Sequence, residues 1–97
     1  MMQCCKKIKV GKKYINAFLI KLAAKNLIVL KGSRGYIMCG YLNLKAAEKF
    51  KDVAIKITGI KNIEDALKAA VHSCTSQARK LGIRKGQPIK EVIKIIA

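Results

Sequence analysis

Hydrophobic and polar residues alternate along the first part of this chain of 97 residues. Residues 3–10 place lysines between apolar positions, and residues 27–30 form a short continuous apolar run. Both patterns are typical of strands. Glycines at positions 11, 32 and 35 favour tight turns between such strands. We therefore predict a meander of four strands, with the bounds 3–10, 13–22, 27–30 and 36–42.

A spacing of 3.6 residues dominates the last part of the chain and predicts helices. Asn43 and Asn62 are suitable N-caps, because their side chains can accept a hydrogen bond from the first turn of a helix. Gly82 suits a left-handed helix stop, and Pro88 suits the first turn of a terminal helix. The predicted elements are a helix over 44–50, a fifth strand over 53–57, a long helix over 62–80 and a terminal helix over 89–96.

The order β-β-β-β-α-β-α-α predicts an α+β fold. We expect a mostly antiparallel sheet of about five strands with the helices packed on one face. Apolar residues make up 52% of the chain, which is enough to build one core. No repeat, low-complexity tract or linker divides the sequence, so residues 1–97 are expected to form a single domain.

The charge of the chain points to an anionic partner. Lysine and arginine number 21 against 5 aspartate and glutamate residues, which gives a net charge of +16. Such a balance favours nonspecific binding to nucleic acid or another polyanion. The chain also combines this lysine excess with many isoleucines, a pairing that genomic codon bias alone can produce. A solvated basic surface without a ligand is therefore the competing interpretation.

Two basic pairs flank the predicted helix stop at Gly82. Their simplest role is to complement the negative end of the helix dipole, and their functional role would be a phosphate clamp. Lys68 and His72 would extend that clamp along the polar face of the predicted helix, and Arg34 would add charge to a backbone nest between two glycines. The candidate residues for binding an anion or nucleic acid are Arg34, Lys68, His72, Arg79, Lys80, Arg84 and Lys85.

The cysteines offer a second kind of site. Cys39 lies close to glycines, where small neighbours would let a ligand approach the backbone. A nucleophilic thiol needs a base, and the one histidine, His72, falls on the polar face of its predicted helix. The alternative is a small buried side chain at Cys39, so the sequence leans away from an enzyme. The glycines considered for close approach are Gly32, Gly35 and Gly40.

No metal or cofactor is predicted, because the cysteines form no CxxC pair and have no zinc-like histidine spacing. No apolar segment typical of a secretion signal follows the N-terminus. Lysines interrupt the most apolar stretch, 15–30, so we expect no membrane span. These features favour a cytoplasmic protein. The high apolar content of so short a chain leaves a homo-oligomer as an open alternative.

The sequence resembles a known family over nearly its whole length. The most specific string is Gly35-Tyr36-Ile37-Met38-Cys39-Gly40, and Leu81-Gly82-Ile83 followed by Gly86 supports it. Both strings are similar to those of the YunC-like family, which comprises small uncharacterised bacterial and archaeal proteins. The chain departs from the family pattern at Gln87-Pro88, before the last helix. The resemblance implies a small α+β fold and carries no known activity or catalytic residue.

Two functions of different classes follow from these patterns. The first is a small basic binding module that contacts an anionic partner such as nucleic acid. The alternative is a small metabolite-binding protein or enzyme centred on Cys39. The positions of the basic side chains on the folded surface distinguish the two interpretations of the charge. One contiguous basic face indicates a binding site, whereas an even scatter indicates composition bias.

Overall fold

A computed structural model of the chain describes residues 3–23, 26–39 and 43–97. These residues form one sheet whose six strands follow one another in chain order. Neighbouring strands are antiparallel except the fourth and fifth, which run parallel because a helix crosses over between them. The predicted α+β class and mostly antiparallel sheet are confirmed. The elements are β1 (Gln3–Val10), β2 (Lys13–Lys21), β3 (Asn26–Lys31), β4 (Tyr36–Met38), α1 (Leu44–Lys49), β5 (Ala54–Lys56), α2 (Ile63–Lys68), β6 (Ser73–Cys74), α3 (Ser76–Lys80) and α4 (Ile89–Ile96).

One face of the sheet packs against helices in a core rich in isoleucine. Ile15, Ile28 and Ile37 project into this core from β2, β3 and β4, and all three are buried. The apolar residues of α4 recur at helical spacing and so present one stripe to the sheet. That stripe consists of Ile89, Val92, Ile93 and Ile96. The predicted bounds of this helix are confirmed, and Pro88 is its N-cap.

The helix α1 packs on the opposite face of the sheet. Side chains alternate across a strand, so Tyr36 and Met38 point away from the face that carries Ile37. They pack with Ala47 of α1 and Ala54 of β5 in a second, smaller cluster. The helices α2 and α4 therefore lie where the prediction put the helices, whereas α1 covers the β4–β5 end of the other face.

The predicted long helix over 62–80 is wrong. Asn62 caps α2 as expected, but the chain becomes extended at Ala69 and then pairs with a later segment. The backbone N–H of Val71 donates to the carbonyl of Gln87 at 2.9 Å, and that of Gly86 donates back to Val71 at 2.8 Å. Thr75 then begins the separate helix α3. The helical spacing of apolar residues did not reveal these distant backbone partners.

The other differences concern the ends of elements. The fourth strand ends at Met38 instead of Leu42, and residues 40–42 lie outside the described residues. Gly82 follows the C-cap of α3 with a φ of +92°, as expected for a left-handed stop. The longest described helix, α4, has 8 residues, so none in the described ranges is long and apolar enough to cross a membrane.

Candidate functional site

The glycine loop between β3 and β4 binds the end of the chain. The backbone N–H of Arg34 donates to the carbonyl of Ile96 at 2.9 Å, and the Ser33 hydroxyl donates to the carbonyl of Ala97 at 3.1 Å. A Cβ on Gly32 would collide with the Ile96 carbonyl. The loop predicted as an anion nest therefore holds two carbonyl oxygens of the protein itself. The Arg34 side chain is exposed.

A second close approach occurs at Gly35. A Cβ at this position would lie 2.6 Å from the carbonyl oxygen of Val53, which accepts a hydrogen bond from the N–H of Tyr36 at 3.0 Å. Both glycines thus make room for the backbone of a distant segment. Gly40, the third glycine considered for close approach, lies outside the described residues.

The Cys39 thiol extends the pairing of β3 with β4. Its Sγ accepts a hydrogen bond from the N–H of Ile28 at 3.5 Å and donates to the carbonyl of Asn26 at 3.6 Å. Cys39 is 6% exposed. His72 lies between α2 and β6, where its Nδ1 and the Ser73 hydroxyl share a hydrogen bond of 3.0 Å. The described hydrogen bonds therefore do not join Cys39 to the histidine that a nucleophilic thiol would need.

The remaining described thiols show no catalytic arrangement either. Burial raises the pKa of the Cys74 thiol, and the nearby Arg79 opposes that shift. The Cys74 Sγ donates to the carbonyl of Ile83 at 3.8 Å, while Cys5 is exposed on β1. Within residues 3–23, 26–39 and 43–97, no cluster of three His, Cys, Asp or Glu side chains could hold a metal ion. A site centred on Cys39 stays a prediction.

A buried polar junction, missed by the sequence reasoning, connects β5 to α3. The Thr75 hydroxyl donates to the carbonyl of Asp52 at 2.7 Å and accepts from the N–H of Ala54 at 3.2 Å. The Asp52 carboxylate accepts a hydrogen bond from Tyr36 at 3.0 Å. Burial and this carboxylate raise the pKa of Tyr36. These contacts fix the β5–β6 edge of the sheet. They were not predicted, because the sequence pattern assigned Thr75 to a long helix.

The predicted anion-binding residues are exposed but occupy separate segments. Lys68 ends α2, Lys80 ends α3, and His72 lies between these helices, so the expected helical stripe does not form. Arg79 donates from Nη1 to the carbonyl of Cys74 at 2.9 Å, which holds its guanidinium against its own helix N-terminus. The residues Arg84 and Lys85 share the turn after α3.

Exposed basic side chains lie on all four described helices and on β1, β2 and β3. Every described lysine and arginine is exposed except Lys56, which is half-buried. Three acidic side chains accept hydrogen bonds within the protein, with Ser76, Tyr36 and the backbone of Lys61 as donors. The acidic residues concerned are Glu48, Asp52 and Asp65.

The first three strands carry a further candidate surface, which we call the outer sheet face. It comprises the side chains that point away from the main core on β1, β2 and β3. Alternation along each predicted strand would have identified it, because its residues lie between core positions. The outer sheet face consists of Cys5, Lys7, Lys9, Tyr14, Asn16, Phe18, Ile20, Leu27, Val29 and Lys31.

Comparisons with known proteins agree with this fold. A family model described as "Domain of unknown function (DUF1805)" matches residues 38–96. The "Uncharacterized protein YunC" of Bacillus subtilis (strain 168) is 35% identical over 81 residues, which cover 79% of this chain and 80% of that protein. A crystal structure of a protein of unknown function, TA1206 from Thermoplasma acidophilum, matches with a TM-score of 0.95 and 35% identity, over 99% of this chain and 94% of that chain. The chain therefore belongs to the DUF1805 family of unknown function, as its resemblance to YunC-like proteins implied.

Proposed function

We propose that residues 1–97 form one small, cytoplasmic, basic module that binds polyanions, with nucleic acid as the first partner. One observation carries the proposal: every described lysine and arginine except Lys56 is exposed, and the chain holds 21 basic residues against 5 acidic ones. Even if each acidic side chain engages a neighbouring basic one, most of these cations stay available to an external phosphate. Each lysine that meets a phosphate releases bound counterions, which favours association at low salt.

The turn after α3 supplies one set of phosphate contacts. Arg84 is held by a reciprocal pair of bonds, in which its N–H donates to the Gln87 side chain at 3.1 Å and its carbonyl accepts from the Gln87 N–H at 3.2 Å. Gly86 completes the turn with a φ of +86°. Lys80, Arg84 and Lys85 thus project from an ordered backbone, and contacts of this kind position a nucleic acid without reading its sequence.

Fluorescence anisotropy with labelled mixed-sequence DNA and RNA tests the proposal. At about 50 mM salt we expect binding whose affinity falls steeply as salt is added, because each phosphate contact displaces counterions. An oligonucleotide of the same sequence with an uncharged backbone is the control, and it should bind far more weakly. An absence of salt-dependent binding to both DNA and RNA would contradict the proposed function.

A further inference from the structure

The outer sheet face presents an apolar row that the described helices leave open. The strand register places Phe18 opposite Cys5 on one side and Val29 on the other. The next pair is Ile20 with Leu27. Phe18, Ile20, Leu27 and Val29 are half-buried, and none belongs to either hydrophobic cluster of the described residues.

Basic and aromatic side chains border this row on the same face. Lys7, Asn16 and Lys31 are aligned across β1, β2 and β3. Beyond them, Lys9 is paired with Tyr14, which is 57% exposed. Directly paired side chains on neighbouring strands lie about 5 Å apart, so the Tyr14 ring is within reach of a cation. The surface therefore combines accessible ring area with positive charge.

Charge complementarity selects the occupant of this face. A second copy of the chain would bring Lys7, Lys9 and Lys31 close to the same lysines, which disfavours self-association. A polyanion would be attracted by these lysines, and unpaired bases would supply flat apolar surface for the rings. Bases inside a duplex are already stacked on one another and cannot reach a flat sheet.

We propose that the outer sheet face binds single-stranded nucleic acid, with bases stacked on Tyr14 and Phe18 and phosphates held by the bordering lysines. This inference rests on the proposed function and names its site and substrate class. Tyr14 and Phe18 are four residues apart on β2, which separates the rings by about 13 Å. The two rings therefore hold different bases, and Asn16 lies between them to accept or donate hydrogen bonds at base edges.

An aromatic substitution tests the stacking. Tyr14→Ala should weaken binding of single-stranded RNA or DNA about tenfold, as expected for the loss of one base–aromatic stack. Phe50→Ala is the control for an exposed ring that no proposed stack uses, because Phe50 is 73% exposed and follows α1, which packs over β4 and β5 and not over β1 to β3. The control should bind like the wild type. Equal affinities for all three proteins would overturn the stacking contact.

A charge substitution tests the phosphate contacts. The variant Lys7→Gln/Lys9→Gln/Lys31→Gln should reduce the magnitude of the negative slope of log affinity against log salt by about two, since each phosphate contact on a single strand contributes about 0.7. The matched control neutralises three exposed lysines before α2 and on α4, on the other side of the sheet. These substitutions are Lys61→Gln, Lys90→Gln and Lys94→Gln.

The outcomes of these experiments distinguish a failure of the proposed site from a failure of the proposed function. If both triple variants lose affinity equally, net charge alone attracts the nucleic acid, and the outer sheet face is overturned while the proposed function stands. Tighter binding of a duplex than of either single strand would also overturn this site. A dimer in light scattering that Phe18→Ala converts to monomer, with nucleic-acid binding unchanged, would assign the face to a second copy instead. No binding by the wild type would reject the proposed function itself.

Discussion

Single residues join segments of the chain that are far apart in sequence. Gly32 admits the carbonyl of Ile96, and the side chains of Ser33 and Lys13 both donate to the carbonyl of Ala97, at 3.1 and 3.5 Å. The end of α4 is thereby fixed to the loop between β3 and β4. The sequence marked this glycine as a position of close approach. It could not identify the approaching group, because that group comes from the opposite end of the chain.

Substitutions of Gly32 and Gly11 should distinguish the cost of a steric clash from the cost of a left-handed backbone conformation. Gly32→Ala should lower the free energy of unfolding by about 3 kcal/mol, because the new methyl group meets backbone that cannot turn aside. Gly11→Ala is the control: Gly11 has a φ of +63° with open space around it, so the loss should be about 1 kcal/mol.

Urea unfolding measures both losses, and hydrogen exchange of the α4 amides locates them. Exchange at the end of α4 should accelerate in Gly32→Ala and stay unchanged in Gly11→Ala. Equal losses in the two variants would show that the Ile96 carbonyl does not restrict this position.

The elements of the fold differ in how well local patterns predict them. The hairpin of β1 and β2 follows from alternation and the turn at Gly11, and α4 follows from its apolar stripe. The segment from Ala69 to Cys74 does not, because its extended form depends on hydrogen bonds to β5 and to residues 86–89. Apolar positions such as Val71 fit a helix equally well in the sequence alone. Alternation along the strands could also have predicted the outer sheet face, but not the register that aligns its residues across β1, β2 and β3.

The contact between α1 and α3 should make stability depend on pH. The Glu48 carboxylate on α1 accepts hydrogen bonds from the hydroxyl of Ser76 at 2.7 Å and its N–H at 3.0 Å. These bonds, helped by the charges of Arg79 and Lys80, lower the pKa of Glu48 from its ordinary value of 4.5. A pKa that is lower in the folded state means a stabilising contribution above the unfolded value, which is lost as pH falls through the folded value.

Glu48→Gln should therefore reduce the dependence of stability on pH in the acidic range. Relative to wild type, the variant should be less stable at about pH 7 and should lose less stability between about pH 5 and pH 3. Urea unfolding at these values measures the difference. Glu64→Gln, at an exposed position on α2, is the control and should follow the wild type. Parallel pH profiles for Glu48→Gln and wild type would contradict a role for the Ser76 contact.

The net charge of +16 acts on the molecule as a whole. The protein measures 36 × 32 × 22 Å along its principal axes. Charges interact over about 30 Å at 0.01 M salt and about 10 Å at 0.1 M, so at low salt most of the exposed cations repel one another across the entire molecule. This repulsion destabilises the compact state and weakens on unfolding, when the charges move apart.

Salt should therefore affect stability and binding in opposite directions. Raising NaCl from about 0.01 to 0.1 M should increase the melting temperature, because it screens repulsion. The same change weakens nucleic-acid binding, because the release of counterions into a saltier solution is less favourable. Differential scanning calorimetry measures the first effect.

The variant Lys61→Gln/Lys90→Gln/Lys94→Gln should show a salt-induced increase in melting temperature that is smaller by roughly one third, because repulsion scales with the square of the net charge. A melting temperature that stays constant or falls with salt would mean that the cations interact mainly with local partners. Attraction to polyanions would then have to arise at a local site such as the outer sheet face.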